Sequence, residues 1–147
     1  TLFPYTTLFR SIAKFTIESE EIDILFPTSS KKTKSYRVYG ALQFEINGQQ
    51  FKLLVYQNLS YLVKDSFHLF LPITDETTSE TTYGGGRYID LSIKDIKDGT
   101  ILLDFNKAYN PYCAFGTGYS CPLPPSENFL PIAITVGEKL FTGTYKD

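Results

Sequence analysis

The chain has 147 residues, 42% of them hydrophobic, and its 14 basic and 16 acidic side chains give a formal net charge of −2. A single domain of this size can bury most of its apolar surface without metals or several disulfides. The slightly negative net charge argues against nucleic-acid binding, which needs a sustained basic face. Lys31, Lys32 and Lys34 form only a local basic cluster. No run approaches the roughly 18 apolar residues of a transmembrane helix, so no membrane span is expected.

The first eleven residues, TLFPYTTLFRS, resemble the translation of a sequencing-library adapter joined in frame to a gene fragment. We therefore predict that residues 1–11 are a non-native scar that packs poorly, and that residues 12–147 form one β domain truncated at its N-terminus. The chain has no Met, which fits a missing upstream segment. The alternative is a genuine first strand, because the segment is rich in Phe, Thr and Leu.

Alternation of apolar and polar residues with a period of two dominates the rest of the chain, and no segment shows the apolar spacing of a helix. The clearest example is 36–46, followed by Asn47-Gly48, which suits a tight hairpin turn, and by a returning strand at 51–56. Further strands are predicted at 15–17, 22–26, 67–71, 83–93, 100–105, 132–136 and 139–142. Short strands at such regular spacing predict an all-β domain, a single antiparallel β-barrel or β-sandwich.

One long irregular loop, residues 104–128, contains both cysteines and many of the turn-forming residues. Its prolines exclude it from central strands, because proline lacks the backbone N–H that a ladder needs. A loop of this length inside a compact domain usually has a function. The loop is therefore the first place to look for a site.

Cys113 and Cys121 lie in this loop with Gly116 and Gly118 between them. A disulfide or a pair of structural thiols is favoured, and a disulfide would place the Cα atoms about 4.4–6.8 Å apart. A zinc site needs about four ligands, and only His68 could join the cysteines, so no metal is expected. A reactive thiolate normally needs a base or an electropositive setting. His68 itself is expected to be a solvent-facing or hydrogen-bonded strand residue.

The run Gly84-Gly85-Gly86-Arg87 lacks the following helix and the Gly-Lys-Ser/Thr ending of a phosphate-binding loop. Its backbone amides and the Arg87 guanidinium could still bind a carboxylate or phosphate. The alternative is a bulged strand entry with Arg87 exposed or paired to an acid such as Asp90.

Several uncommon strings occur together, among them TYGGGRYIDL at 82–91, DFN at 104–106, AYNPYCA at 108–114, SCPLPP at 120–125 and GEK at 137–139. With them the chain resembles DUF1684, a family of uncharacterised bacterial and archaeal proteins, over residues 12–142. The resemblance implies no known activity and no cofactor. With a disulfide, the resemblance to members from envelope-rich bacteria implies a periplasmic or cell-surface protein, with a cytoplasmic one as the alternative.

Three functions are compatible with these residues. The first is a binding domain for a small polar or anionic molecule, in which Arg87 meets the long loop at one end of the β structure. The second is a hydrolase or transferase using a carboxylate pair such as Asp104 and Glu127. The third is a structural envelope protein without a ligand, whose polar loop residues only hold their own backbone. The candidate ligand-binding residues are Tyr83, Arg87, Tyr88, Asp104, Asn106, Tyr109, Asn110, Tyr112, Glu127 and Asn128.

Overall fold

A computed structural model describes residues 8–144, and its regular structure consists of β-strands and short 3-10 turns. The strands are β1 (Arg10–Ile17), β2 (Asp23–Pro27), β3 (Thr33–Ile46), β4 (Gln49–Asn58), β5 (His68–Asp75), β6 (Arg87–Ser92), β7 (Thr100–Asp104) and β8 (Phe129–Leu130). The 3-10 turns are Ile93–Asp95, Phe105–Lys107, Tyr112–Ala114 and Ser126–Asn128. The all-β prediction is confirmed. Within residues 8–144, no helix has the length and apolar character needed to cross a membrane.

One curled antiparallel sheet, similar to half a barrel, runs in the order β6-β5-β4-β3-β1-β7. β2 pairs with the first half of β3, and β8 pairs in parallel with the end of β5. The β3–β4 hairpin forms where it was predicted, with φ angles of 52° at Asn47 and 81° at Gly48. Positive φ at both central residues is what a tight hairpin turn requires.

A bulge at Tyr39 divides β3 into two parts that face opposite sides of the sheet. Val38 and Gly40 pair with consecutive residues of β4, so Tyr39 is the extra residue. An inserted residue reverses the side-chain alternation along a strand. Tyr36 therefore packs in one apolar cluster and Leu42 in another, although both have even numbers. The predicted strand is confirmed as one strand, but its buried side chains lie on one face of the sheet before the bulge and on the other face after it.

The two faces carry different cores. The main core is mostly aliphatic and is built by side chains from β1, β3, β4, β5, β6 and β7. The second cluster is aromatic, and its buried members are Phe26, Tyr36, Tyr56, Phe70 and Tyr88. Because side chains alternate along β6, Arg87 lies on the main-core side and Tyr88 on the aromatic side. This alternation positions the candidate site described below.

Three predicted strand assignments need correction. Residues 132–136 and 139–142 are not strands, and β6 begins at Arg87 rather than at 83. In the first segment, buried side chains replace a partner strand: the carbonyls of Ile134 and Val136 accept from Arg87, and the Ile134 N–H donates to Asp75. Before β6 the chain turns, and the N–H of Gly86 donates to the carbonyl of Tyr83 at 3.1 Å.

Residues 9–11 also differ from the prediction for the first eleven residues, of which 1–7 lie outside the described part. Phe9 is buried in the main core, and its carbonyl accepts from the N–H of Phe105 at 2.9 Å. Arg10 and Ser11 pair with the end of β7. The expectation of poor packing is therefore wrong at these positions. The whole of β7 pairs with β1, and this pairing includes Arg10 and Ser11. The non-native origin of residues 1–11 and the domain boundary at 12 stay predictions.

Candidate functional site: a tyrosine pocket beside the disulfide

A concave pocket of about 430 Å³ opens beside the aromatic cluster, between the end of β2 and the long loop. We call it the tyrosine pocket. Its lining residues are Lys34, Tyr88, Tyr109, Asn110, Pro111, Tyr112, Phe115, Tyr119, Ser120, Cys121 and Pro122. Ligand sites typically have volumes of about 300–1,000 Å³ and combine apolar walls with a few polar groups. The size and composition of the pocket therefore suit a small molecule.

Tyr88 and Tyr109 contribute mostly ring surface, because their hydroxyls are already engaged. The two residues form an isolated antiparallel bridge with N–H···O distances of 2.9 Å in both directions. The Tyr88 hydroxyl donates to the carbonyl of Pro122 at 2.6 Å, and the Tyr109 hydroxyl donates to Asp90 at 2.9 Å. Burial raises the pKa of Tyr88 and of Tyr109, and the negative charge of Asp90 adds to the increase at Tyr109. Both phenols are therefore neutral at physiological pH.

Asn110 lines the pocket and is held in place by two hydrogen bonds that it donates. Its backbone N–H donates to Glu138 at 2.7 Å, and its side-chain amide nitrogen donates to the carbonyl of Lys139 at 2.9 Å. Its Oδ1 is buried and accepts from no described residue. Because this oxygen has no accessible surface, a molecule in the pocket does not reach it, and the two donated hydrogen bonds fix Asn110 as part of the pocket wall.

Tyr112 and Tyr119 are the exposed aromatic side chains of the pocket, with 72% and 49% of their surface accessible. Their ring centroids are 5.4 Å apart. They belong to the two chain segments that the Cys113–Cys121 disulfide joins, with a Cα separation of 6.3 Å. The predicted disulfide is confirmed, and it uses both sulfur atoms that a zinc site or a reactive thiol would need.

A second set of contacts fixes the Cys121 side of the pocket to the segment after β2. The Ser29 N–H donates to the Cys121 carbonyl at 2.9 Å, and the Cys121 N–H donates to the Ser29 hydroxyl at 3.0 Å. The Ser30 and Ser120 hydroxyls lie 2.7 Å apart. This attachment places the segment with the lysine cluster beside the pocket, and Lys34 lines it without an ion pair to any described acid.

The disulfide is expected to stabilise the domain by about 2.5 kcal/mol, because it closes a short loop in the unfolded chain. Urea unfolding with and without reductant should show a lower midpoint for the reduced protein. The Cys113→Ala/Cys121→Ala double variant should match the reduced protein and should not respond to reductant. Identical midpoints for the oxidised and reduced proteins would contradict this expectation.

Arg87 does not take part in the tyrosine pocket. Its guanidinium is 1% exposed and donates to the carbonyls of Val136 at 2.6 Å, Ile134 at 3.0 Å and Glu138 at 3.2 Å. It also lies 3.5 Å from Asp75, its ion-pair partner. Burial lowers the pKa of Arg87, and Asp75 acts in the opposite direction. The hypothesis that Arg87 binds an anion is not supported by this geometry, because its donors are already used inside the protein.

The contacts of Arg87 also differ from those predicted. Its described hydrogen bonds and ion pair go to Asp75 and to 134–138, and not to the polar residues of the long loop. Asp90, the acid suggested as its partner, instead accepts from Tyr109 and contacts His68 at 3.0 Å. The prediction of a hydrogen-bonded strand position for His68 is confirmed. Glu138 links Arg87 to the pocket lining, because its carbonyl accepts from Arg87 and its carboxylate accepts from the Asn110 N–H.

Asn128 also has a role outside the pocket. Its side chain is fully buried and bridges β4 and β5: Oδ1 accepts from the Leu54 N–H, and Nδ2 donates to the carbonyls of Leu54 and Pro72, all within 2.9 Å. The two strands share one paired position along β4. Asn128 therefore supplies hydrogen bonds that a regular ladder would otherwise make.

The remaining candidates lie apart from the pocket lining. Asp104 accepts from the backbone and side-chain N–H groups of Asn106 and is 3.4 Å from Arg10. Glu127 is exposed and accepts from its neighbour's hydroxyl. Tyr83 is partly buried in the turn before β6. Of the ten predicted ligand-binding residues, the pocket thus brings together Tyr88, Tyr109, Asn110 and Tyr112.

The chain is similar in sequence to one protein family and in fold to a solved structure. A family model described as a protein of unknown function, DUF1684, matches residues 1–139. The chain belongs to the DUF1684 family. The solution NMR structure of an uncharacterised protein from Haloarcula marismortui is similar to it, with a TM-score of 0.72 and 36% sequence identity over 90% of this chain and 71% of that one. No curated protein matches the chain.

Seven lining residues of this DUF1684 domain were not among the predicted ligand-binding residues: Lys34, Pro111, Phe115, Tyr119, Ser120, Cys121 and Pro122. Six of these seven belong to the long loop and lie between or close to the two cysteines. The predicted disulfide could therefore have indicated this segment as part of the site. Lys34 had no local signal, because only the long-range contacts between Ser29 and Cys121 bring its segment to the pocket. Among residues 8–144, no group of three or more His, Cys, Asp and Glu side chains is arranged to hold a metal ion.

Proposed function

We propose that this DUF1684 domain binds a small polar or anionic molecule in the tyrosine pocket. The observation that supports this most strongly is the pocket itself, a cavity of about 430 Å³ whose wall combines the rings of Tyr88, Tyr109 and Tyr112 with polar side chains. Ligand sites typically combine apolar and aromatic walls with a few polar groups in a cavity of this size.

The rigidity of the pocket supports the same proposal. Its loop is held by the disulfide at one point and by the Ser29–Cys121 hydrogen bonds at another. Binding to a preformed site avoids the entropic cost of ordering a loop. The sequence prediction of a binding domain is kept, but the proposed site moves from Arg87 to the side of the sheet that carries Tyr88.

The hydrolase or transferase alternative receives no support from a specific contact. Asp104 ends β7 and Glu127 lies in the 3-10 turn that packs against β4 and β5. Within the described residues, they share neither a hydrogen bond nor one of the larger cavities. Paired acid–base catalysis needs both groups within reach of one substrate.

The proposal predicts that small ligands perturb the pocket in amide-resolved NMR. We would titrate the labelled domain with a fragment set of carboxylic acids, alcohols, amides and monosaccharides. Fragments that bind should shift the amides of 110, 112–115 and 119–121. Tyr112→Ala should weaken binding about tenfold, since one aromatic contact and its burial contribute about 1.4 kcal/mol. Tyr112 is largely exposed, so the fold should persist.

Tyr61→Ala is the matched control, because Tyr61 is another exposed tyrosine and its ring packs against His68 rather than in the pocket. Its affinity for the same fragments should equal that of the unmodified domain. A fragment set that leaves the pocket amides unchanged at millimolar concentration would contradict the proposal. That result would favour the structural protein without a ligand.

A further inference from the structure

We infer that the ligand of the tyrosine pocket is a betaine, a small zwitterion in which a short linker joins a quaternary ammonium to a carboxylate. This inference rests on the proposed function and specifies its ligand. Two features carry it: the distribution of charge around the pocket and the aromatic surface of its wall. Each side of the pocket selects one group of the ligand.

Opposite charges lie on opposite sides of the tyrosine pocket. Lys34, the charged residue among the described lining residues, pairs with Phe26 near the start of β3. Tyr109 pairs with Tyr88 on the outer edge of β6. Because β4 and β5 separate β3 from β6 in the curled sheet, the pocket extends from Lys34 on one side to Tyr109 and Asn110 on the other.

Two carboxylates stand directly behind the Tyr109 side. The Tyr109 hydroxyl donates to Asp90 at 2.9 Å, and the Asn110 N–H donates to Glu138 at 2.7 Å. Neither acidic residue belongs to the described lining. The two carboxylates therefore make the potential on this side more negative, but they offer no oxygen to a molecule in the pocket.

The other charges on this side do not cancel the two carboxylates. Arg87 is paired with Asp75 in the interior. Lys139 adds one positive charge, and its ammonium donates to a backbone carbonyl. His68 contacts Asp90 at 3.0 Å and adds a positive charge only when it is protonated. The sum on this side is therefore negative whenever His68 is neutral.

The Tyr109 side selects a quaternary ammonium over a primary one. The hydroxyls of Tyr88 and Tyr109 donate to Pro122 and Asp90, so this wall presents mainly ring surface. The N–H groups of a primary ammonium would lose water there and gain no carboxylate partner. A quaternary ammonium has no N–H group to satisfy, and its methyl groups pack on aromatic rings through cation–π attraction.

Lys34 selects the carboxylate of the ligand, because it forms no ion pair with a described acid. An exposed ion pair contributes little and weakens with salt. Tyr112 and Tyr119 add exposed rings to the same pocket, with centroids 5.4 Å apart. The rings therefore supply most of the affinity, and the two charges set the orientation of the ligand.

The first part of the test varies the ligand in amide-resolved NMR titrations at pH 8 and low salt. The reference is the tightest-binding of three betaines, with one, two or three methylenes between the trimethylammonium and the carboxylate. Its tert-butyl analogue has carbon in place of nitrogen, which removes the positive charge and keeps the shape, and should bind about tenfold more weakly. The primary amino acid of the same length should also bind about tenfold more weakly. The alkyltrimethylammonium ion without the carboxylate should bind about threefold more weakly.

The second part removes one charge from each side of the pocket. Asp90→Asn keeps an acceptor for the Tyr109 hydroxyl. It should weaken the betaine about threefold, while the tert-butyl analogue, which is an anion, should bind equally or more tightly. Lys34→Gln should weaken both of these probes and spare the alkyltrimethylammonium ion. Glu45→Gln and Lys52→Gln change exposed charges outside the pocket lining and should leave all affinities unchanged.

The outcomes separate this inference from the proposed function. If the tert-butyl analogue binds as tightly as the betaine, or if Asp90→Asn weakens both probes equally, the ligand class is wrong and the binding site stands. The same holds if other fragments shift the pocket amides and the betaines do not. If no betaine and no fragment shifts the pocket amides, both are wrong. The order of affinities given above, with the different responses of the two probes to Asp90→Asn, supports both.

Discussion

Replacing Arg87 with methionine is expected to lower the free energy of unfolding by about 3–5 kcal/mol, the usual cost of removing one member of a buried ion pair. Asp75 would keep a buried charge without its cation, and the carbonyls of 134, 136 and 138 would lose their donor. Urea unfolding monitored by circular dichroism measures the loss. Arg87→Lys should recover only part of it, because one ammonium cannot reproduce the planar set of donors.

The matched control is Arg37→Met. Arg37 also pairs with carboxylates, Glu21 at 2.6 Å and Asp23 at 2.5 Å, but these pairs face solvent. Exposed ion pairs contribute little, because water and salt screen them. The effect should therefore be a small fraction of that at Arg87. Comparable losses in the two variants would show that Arg87 does not act as a buried clamp.

Asn128→Ala is the second substitution with a large expected effect, a loss of about 3 kcal/mol. It leaves the Leu54 N–H and the carbonyls of Leu54 and Pro72 without partners, and each buried unsatisfied group costs about 1–3 kcal/mol. Water that partly enters the site can satisfy these three groups in part, so the total cost should lie near the lower limit of about 3 kcal/mol. Chemical denaturation measures the total loss.

Amide hydrogen exchange gives a local readout for the same variant. The Leu54 N–H donates to Asn128, so its exchange should accelerate beyond what the global loss of stability explains. Asn106→Ala is the control, because Asn106 is only partly buried and its side chain makes one described hydrogen bond, to Asp104. Its cost should be below about 1 kcal/mol. Unchanged Leu54 protection in Asn128→Ala would contradict the bridging role.

The sheet and its main hairpin could be predicted from the sequence because their signals are local. Alternation along β3, the Asn47-Gly48 turn and the prolines of the long loop each act through backbone geometry over a few residues. The short spacing of Cys113 and Cys121 likewise made a disulfide a local inference. These features do not depend on how distant parts of the chain meet.

The failures share a different cause, since each depends on contacts between distant segments. Residues 132–136 have the alternation of a strand, yet a buried ion pair between Arg87 and Asp75 takes the place of a neighbouring strand. Lys34 reaches the pocket only through the attachment of Ser29 to the long loop. The Asn128 side chain forms hydrogen bonds to both β4 and β5, and no local sequence pattern predicts these bonds.

Arg87 and Tyr88 show how much of the candidate site was within reach of sequence reasoning. Both were assigned to one ligand site, although strand alternation already implies that adjacent residues face opposite sides of a sheet. The structure places Arg87 with Asp75 and Tyr88 in the tyrosine pocket. Strand alternation alone would have assigned Arg87 and Tyr88 to opposite faces of the sheet. It could not have predicted which face carries the pocket.

The most direct test of the central claim, that ligands bind on the Tyr88 side of β6 and not at Arg87, is the measurement of intermolecular NOEs. We would record them between the protons of a fragment that binds in the titration and the isotope-labelled domain. The predicted result is contact with protons of Tyr109, Tyr112 and Tyr119, which line the pocket. NOEs confined to the surroundings of Arg87, or to a surface remote from the pocket, would contradict the claim.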